Sequence, residues 1–207
     1  MQPFENIARL TDETLRYLGY TIPADERILT MISALAAEFK AYANPSSVYR
    51  VSEGNNSPDF LAKHLTDCDK AVILAATLGT RTDLLLRRLN VRNMEQAAVA
   101  EALCAAAIED YLDQIQEKIR AEFFGSCFVR RFSPGYGDFD ITCQREILDF
   151  LDCRKRMGLF MTEGFMLVPS KSVTAVITKD KTKDKTRINK KCQNCSLRQC
   201  KFRFEEL

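Results

Sequence analysis

The sequence of residues 130–138 is RRFSPGYGD, two arginines followed by a Pro-Gly turn and a tyrosine between two glycines. Pro134 fixes φ for the second position of a turn, and Gly135 supplies the positive φ that a type II turn needs at its third. The bare glycine backbone lets a ligand come close. An adjacent arginine, Arg131, suits a carboxylate, which a guanidinium can hold with two parallel hydrogen bonds. The pattern is equally typical of an ordinary surface turn after a strand.

Apolar runs on both sides of this stretch predict strands. The run AVILAA is continuous and flanked by turn residues, which indicates a strand that is buried on both faces. Two short runs around Thr162-Glu163-Gly164 are predicted to pair with each other. The predicted strands span residues 47–51, 71–76, 159–161, 165–168 and 172–177.

Helical spacing, caps and stops predict six helices. The longest begins at Asn93, continues to about residue 124 and is rich in alanine, so that neighbouring elements can pack close to its axis. Its positions Ala102, Ala106, Glu109, Leu112 and Ile115 are predicted to share one face. The other predicted helices run from a Thr11 cap to Leu18, from near Pro23 to Asn44, from Ser57 through Leu65, and over residues 81–89 and 144–156. Long helices mixed with short strands in no strict βαβ order predict an α+β domain.

Composition indicates a water-soluble protein with one main core. The 207 residues are 46% hydrophobic and 28% charged, values typical of globular domains. No apolar run approaches the length of a membrane helix, and the first residues carry no secretory signal. Eight cysteines without such a signal argue against a disulfide framework. We therefore expect a cytoplasmic, reducing location and no membrane partner.

Charge divides the chain into a domain, residues 1–178, and a basic tail, residues 179–207. Ten Lys/Arg and only two Asp fall between positions 179 and 203, whereas the preceding part holds twenty basic and twenty-four acidic side chains. Such a tail is typical of a solvated linker or of a segment that binds an acidic partner. Nucleic acid is an unfavoured partner, because aromatic residues join the basic ones only at Phe202 and Phe204.

The tail also carries three closely spaced cysteines, Cys192, Cys195 and Cys200. A Cys-x-x-Cys pair lets two thiolates reach one metal, and the third can complete a zinc or iron–sulfur site. The fourth position would be filled by Cys143, Cys153, a partner or a small ligand. The basic neighbours lower thiol pKa values and favour thiolates, so a redox-active set of thiols is an alternative, as are inert thiols.

Several common catalytic sites are excluded by the sequence. His64 is the sole histidine, which argues against Ser-His-Asp catalysis and histidine-rich zinc centres. Neither a phosphate-binding Gly-x-x-x-x-Gly-Lys-Ser/Thr loop nor a dinucleotide Gly-x-Gly-x-x-Gly motif is present. The remaining cysteines of apolar stretches, Cys68, Cys104 and Cys127, are predicted to be buried core residues.

An ordered set of motifs resembles the reactivation domain of cobalamin-dependent methionine synthase, also called its activation domain. The set consists of Arg131-Phe132-Ser133-Pro134-Gly135-Tyr136, Thr162-Glu163 and Met166-x-x-Pro169-x-x-Ser172-Val173-Thr174. Small stand-alone members of that superfamily resemble this chain more closely, from residues 15–20 (LRYLGY) through 76–79 (ATLG) to the cysteine tail. The resemblance covers nearly the whole chain.

The resemblance implies a fold, a cofactor and a set of binding residues. The fold is a twisted antiparallel sheet flanked by helices, and the cofactor is S-adenosylmethionine, whose methyl group passes to cobalamin on a partner. Arg131 would hold the methionyl carboxylate, and Gly135 and Tyr136 would line the groove. The further implied binding residues are Ser133, Pro134, Glu109 and Ser172. No catalytic residue is implied, since the protein supplies positioning.

The resemblance therefore implies an accessory protein for reductive reactivation of cobalamin-dependent methionine synthase, within methionine biosynthesis. Its expected partners are a cobalamin-binding methionine synthase subunit or another corrinoid protein, and an electron donor. The chain lacks an Asp-x-His-x-x-Gly cobalamin motif of its own, so methyltransferase activity would require that separate subunit.

Two alternatives stay open. One is a non-catalytic binding or assembly module that has lost the ligand, because Ala105 stands where the family has an acidic residue and Ile177 where it continues with an aromatic one; Glu101 and Glu109 flank the first position. The other is a metal or iron–sulfur redox partner of a corrinoid methyltransferase.

Overall fold

The computed structural model describes residues 2–20, 24–53, 58–61, 70–125, 129–137 and 139–179. It is an α+β fold, as the sequence predicts, built on a four-stranded sheet of order β1-β2-β6-β3 in which every neighbouring pair is antiparallel. A two-stranded hairpin, β4-β5, lies apart from that sheet. The strands are β1 (Ser46–Glu53), β2 (Lys70–Thr77), β3 (Val129–Phe132), β4 (Phe160–Met161), β5 (Leu167–Val168) and β6 (Ser172–Lys179).

Helices cover both faces of the sheet. Those on the first face share a large apolar cluster with residues such as Leu74 and Ile177, whereas the last two contact the opposite face through a second cluster around Ile73 and Val176. The helices are α1 (Ile7–Leu18), α2 (Glu26–Tyr42), α3 (Thr80–Arg92), α4 (Met94–Ile119), α5 (Cys143–Phe150) and α6 (Cys153–Met157). A π-helical turn, Arg120–Phe124, continues α4 to Gly125.

Strand β2 occupies the centre of the fold. Its residues 71–77 are all buried, because β1 and β6 pair with its two edges and helices cover its two faces. Burial of a full Val, Leu or Ile side chain contributes about 1.5–3 kcal/mol, so this run is a major source of stability. The predicted buried strand is confirmed.

Helix α1 begins earlier than its sequence predicts. Asn6, not Thr11, is the cap, since its side-chain oxygen accepts a hydrogen bond from Arg9 N at 3.1 Å. Thr11 lies inside the helix, where its hydroxyl donates to the Ile7 carbonyl at 2.8 Å. A threonine hydroxyl that donates to the carbonyl one turn earlier is compatible with a helix interior. Thr11 therefore does not have to begin the helix, and the start predicted there was wrong. The predicted end is confirmed, because Gly19 closes α1 with φ of 76°.

The amphipathic run 144–156 is divided into two helices. Residue Leu151 ends α5, and Asp152 adopts a left-handed conformation with φ of 53° before α6 begins. Aspartate tolerates this left-handed conformation better than most residues, so the chain can break at Asp152. The prediction relied on the spacing of apolar side chains, which does not indicate such a break. The break lets Leu151 and Cys153 both point into the second apolar cluster.

The remaining elements agree with the sequence except in one region. Asn93 caps α4 by accepting hydrogen bonds from Glu95 N and Gln96 N, as its predicted opening position requires. The hairpin around residues 162–164 pairs as predicted. Of the helix predicted from Ser57 through Leu65, the described part is a single 3-10 turn, Asp59–Leu61. His64 and Cys68 lie outside the described residues.

Candidate functional site

The turn that follows β3 has the predicted geometry. Tyr136 N donates to the Ser133 carbonyl at 3.3 Å, and Gly135 has a φ of +89°, which is the positive value expected at the third position of a type II turn. Gly135 N also donates to the Phe139 carbonyl at 2.7 Å, so the loop closes on itself. An added Cβ at Gly135 would lie 3.2 Å from Ile141 Cδ1. A residue other than glycine would therefore be strained at position 135, and Ile141 leaves little space there for a side chain.

The turn is anchored underneath and open above. Pro134 and Phe139 are buried, and the Phe139 ring packs edge-on against Phe132 with centroids 5.4 Å apart. Above this base, the side chain of Tyr136 is 76% exposed and the two flanking glycines are exposed as well. A fixed loop that presents bare backbone and an aromatic ring to solvent is suited to contact a ligand.

Arg131 lies on the first face of the sheet, where β3 pairs it with Ile177 of β6. Its side chain is only 6% exposed. Nη2 donates to Glu109 Oε2 at 2.8 Å and to Asp113 Oδ1 at 3.0 Å, and Nη1 donates to Gln116 Oε1 at 3.3 Å. Among the described residues the Nε hydrogen and the second Nη1 hydrogen have no such bond. The guanidinium is thus fixed by α4 while retaining two donors.

A second arginine extends this polar network to α1. Arg9 Nη2 lies 2.5 Å from Asp113 Oδ2, and its Nη1 lies 3.2 Å from the buried Asp110. Tyr17 of the same helix lies close enough to Glu109 to sense its charge: burial raises the pKa of Tyr17, and the Glu109 carboxylate raises it further. Asp113 therefore links α1 to Arg131 through a single carboxylate.

Ser172 lies at the opposite end of β6 from the Arg131 pairing. Its hydroxyl is within 2.7 Å of both Thr77 Oγ1 and the Pro169 carbonyl, so it ties the start of β6 to β2. The preceding loop is fixed by Asp83, whose carboxylate accepts from Ser170 N at 2.9 Å and from Ser170 Oγ at 2.8 Å. Five residues of strand correspond to about 17 Å, so the structure does not bring Ser172 and Arg131 together.

The edge of β6 is open between these two points. Strand β3 pairs only with residues 176–179 of β6, and no other strand of the described chain pairs with residues 172–175 on that side. The antiparallel direction of β3 points the chain that leaves Phe132 toward this unpaired part of the edge. Unpaired strand edges offer backbone donors and acceptors to a ligand.

One side of α4 follows this open edge. Glu101, Ala105 and Glu109 are one turn apart and partly exposed, so they form a single stripe. Lys171 Nζ bonds Glu101 Oε2 at 2.6 Å at one end, and Arg131 bonds Glu109 at the other. The two ends are about 12 Å apart at about 1.5 Å of rise per residue. We call this arrangement, Glu101, Ala105 and Glu109 with Lys171 and Arg131, the α4 seam.

Only one of the three α4 residues that contact Arg131 was predicted from the sequence. Glu109 is a predicted binding residue, and the structure places its side chain, which is 47% exposed, against Arg131. Asp113 and Gln116 were not predicted. They follow Glu109 at spacings of four and seven, the interval of one helix face, and this was the signal available in the sequence.

Two of the three cysteines that the structure describes are poorly suited to ligate a metal, whereas the third, Cys143, is only partly buried. Cys104 and Cys153 are fully buried, and burial raises the pKa of both thiols, that of Cys153 to about 12. Cys153 is therefore an unfavourable fourth ligand for the tail, because a ligand must be a thiolate. The described part of the chain holds no cluster of three or more His, Cys, Asp or Glu suited to a metal ion. Cys192, Cys195 and Cys200 lie outside it, as does Cys127.

Comparison with known proteins shows a similarity of fold. No family model matches the sequence, and no curated protein matches it. Among solved structures, the crystal structure of the MetH reactivation domain bound to AdoHcy matches with a TM-score of 0.65 over 86% of this chain and 76% of that one. The fold is that of the MetH reactivation domain. Sequence identity is 17%, so the relationship to the MetH reactivation domain is one of fold. None of the described helices is long and apolar enough to cross a membrane.

Proposed function

We propose that this chain binds S-adenosylmethionine and serves as an accessory reactivation protein for a cobalamin-dependent methionine synthase. The observation that supports it most is the exposed Gly-Tyr turn beside Arg131 at an open strand edge, in the fold of a domain that was crystallised with AdoHcy. The turn and the arginine belong to the same short sequence motif, and the α4 seam adds carboxylates beside them.

The chemistry of the donor set fits the amino-acid end of the ligand. A methionyl group carries a carboxylate and an ammonium on one carbon, so a suitable site needs a cation and an anion side by side. Arg131 keeps two donors, on Nε and Nη1, which point in different directions, so that one of them can reach the carboxylate, and Glu109, being 47% exposed, offers an oxygen to the ammonium. Tyr136 would pack on the remainder of the ligand at the exposed turn, where Ser133, Pro134 and Gly135 shape the backbone.

The role of the protein in methyl transfer would be to bind and orient. S-adenosylmethionine would supply a methyl group on a positively charged sulfur: an electron pair of reduced cobalt on the partner would form the bond to the methyl carbon as the S–C bond breaks, and the S–C electron pair would stay on the leaving group, AdoHcy. The Arg131 and Glu109 pair would fix the ligand at its amino-acid end, and the open β6 edge would hold it along its length. Orientation of this kind accelerates a bimolecular step without acid–base groups.

A second candidate is an assembly module of the same fold that no longer binds the ligand. It is favoured by the state of Arg131, whose side chain is 6% exposed and whose Nη2 donates both hydrogens to Glu109 and Asp113. In this role the guanidinium would only brace β3 against α4. Ala105, which carries no polar group at the middle of the α4 seam, agrees with that alternative.

Calorimetric titration of the full chain with AdoHcy and with S-adenosylmethionine separates the two candidates. We expect saturable binding that Tyr136→Ala weakens about tenfold, since a lost aromatic contact of about 1.4 kcal/mol corresponds to that factor. Tyr136 is exposed, so its removal leaves the fold intact. Arg130→Ala is the matched control, because Arg130 lies on the opposite face of β3 from Arg131.

Absence of heat at millimolar ligand from a folded protein would refute ligand binding and leave the assembly module as the favoured candidate. Binding that Tyr136→Ala and Arg131→Ala both leave unchanged would place the ligand elsewhere. If binding is found, mixing with a cobalamin-carrying methionine synthase subunit and a reductant tests the accessory role, with recovery of synthase activity as the readout.

We further propose that the binding domain ends with β6 at Lys179, one residue past the predicted boundary, and that residues 180–207 form a separate basic tail with a zinc or iron–sulfur site at Cys192, Cys195 and Cys200. Support for the tail site comes from the cysteine spacing and the basic neighbours. Anaerobic purification followed by metal analysis and a visible spectrum is the test. A colourless, metal-free protein with three freely titrating tail thiols would refute it.

A further inference from the structure

Helix α3 exposes large apolar side chains on its outer side. At about 100° per residue, Leu84, Arg87 and Val91 form the line directly opposite the leucines that α3 buries in the core. Leu84 is 62% exposed and Val91 is 89% exposed. Met94, which follows at the start of α4, is 84% exposed. Three such side chains close together are unusual for a surface that contacts only water.

Arginines surround this line. Arg81, Arg88 and Arg92 flank it on one side, and together with Arg87 they make α3 strongly basic. Arg88 pairs with Glu38. Within the described chain the other three guanidiniums have no ion pair, so their charge is available to a partner.

The acidic side chains nearest to α3 already have hydrogen-bonding or ion-pair partners outside the helix. Asp83 is the one carboxylate of the helix, and both its oxygens accept hydrogen bonds from Ser170. Glu95, at the start of α4, pairs with Arg27 at 2.6 Å. Excess positive charge beside exposed apolar groups therefore has no internal counterpart in the described structure.

We propose that the α3 outer face, consisting of Arg81, Leu84, Arg87, Arg88, Val91 and Arg92, binds an acidic amphipathic helix of a partner protein. The spacing of Leu84 and Val91 is seven residues, two helical turns, which matches the repeat of a facing helix. Carboxylates around the apolar ridge of that helix would pair with the arginines, whose planar groups suit carboxylates. Arginine with exposed apolar residues is also the composition of protein interfaces.

Two other classes of partner fit less well. A nucleic acid would bring phosphates against the apolar side chains of Leu84 and Val91, and Tyr42, the exposed ring beside the face, already has the Arg88 guanidinium over it at 6.0 Å. A lipid surface requires a helix that inserts its apolar side, whereas the main apolar side of α3 is buried in the protein core. The observations favour an acidic protein partner.

The test uses the full chain and a fluorescein-labelled helical peptide of about 20 residues that presents leucines on one side and glutamates around them. Anisotropy should show saturable binding to the wild-type chain. Leu84→Ser with Val91→Ser should weaken it at least tenfold, the effect of losing a central apolar contact. The double substitution Arg87→Glu with Arg92→Glu should weaken peptide binding more at low salt than at high salt, because salt screens exposed charges.

The matched control changes the same charges on another exposed basic helix, α6, through Arg154→Glu with Arg156→Glu. This pair should leave peptide binding within twofold of wild type. Equal losses in the control pair, or no loss in the Leu84 and Val91 pair, would overturn the proposal as non-specific charge attraction. A chain that ignores the peptide but binds single-stranded DNA, anionic vesicles or its own copies through α3 would overturn it in favour of that partner.

Discussion

Replacing Arg131 by methionine should destabilise the fold whether or not a ligand binds. Methionine has a similar length and keeps the apolar contacts of the stem, so the substitution mainly removes the guanidinium. Glu109 and Asp113 then lose their bonds to Nη2, and Gln116 loses its bond to Nη1. Two carboxylates one turn apart on α4 are left to repel each other.

The size of the effect follows from burial. An exposed ion pair contributes about 0–1 kcal/mol, whereas breaking a fully buried one costs about 3–5 kcal/mol. Arg131 is 6% exposed, but its partners Glu109 and Asp113 are 47% and 36% exposed, so water can reach the carboxylates that remain. Asp113 also keeps Arg9. We therefore expect the free energy of unfolding to fall by about 2 kcal/mol.

Urea denaturation followed by circular dichroism measures this change. With a slope of about 2.5 kcal/mol per molar urea, a loss of about 2 kcal/mol lowers the midpoint by about 0.8 M. Arg130→Met is the control, since exposed Arg130 contacts mainly the ring of Phe132, 5.4 Å away, and should change the free energy by about 0.5 kcal/mol or less. If both substitutions shifted the midpoint equally, Arg131 would not be a brace between β3 and α4.

Two other predictions concern backbone space and buried thiols. Gly79→Ala should lower the free energy of unfolding by more than about 2 kcal/mol, because Gly79 has a φ of +88° and the new Cβ would lie 2.5 Å from the Asn44 carbonyl oxygen. Gly137→Ala, which has a φ of +62° with nothing within 4 Å, should lose only about 1 kcal/mol in the same thermal unfolding experiment, and equal losses would contradict the steric argument. For Cys153, burial raises the thiol pKa from 9.0 to about 12, so the folded state favours the neutral thiol, and its contribution to stability should be lost as pH rises from about 9 toward about 12. Cys153→Ala should flatten that decline, and a decline of unchanged slope would contradict the assignment.

The sequence predicted the fold best where one local signal dominated. A continuous apolar run predicted β2, asparagine marked the start of α4, and glycine marked the end of the π-helical turn that continues it. The sequence was wrong where two local solutions were close in energy. Thr11 is a good cap in isolation, but Asn6 offers an equally good cap one turn earlier and lets α1 pack more of its length on α4. Tertiary packing decided between them.

The candidate site was predictable at its turn and less so around it. The dihedral preferences of Pro134 and Gly135 determine the turn locally, so it could be predicted from the dipeptide. The environment of Arg131 depends on which turns of α4 cross β3, and that is set by long-range packing. The i, i+4 and i+7 spacing of Glu109, Asp113 and Gln116 indicated a polar face but not the residue it would meet.

The position of β2 has a consequence for the making of the protein. Ala71 pairs with Thr178, more than one hundred residues later, so one edge of this largely apolar strand cannot be paired until the last strand exists. At about 5–20 residues per second, that interval lasts about 5–20 s on the ribosome. During this interval β2 has an edge of unpaired backbone groups that can pair with another nascent chain. Synthesis, more than the finished structure, is therefore the stage at which this protein is most exposed to aggregation and most dependent on chaperones.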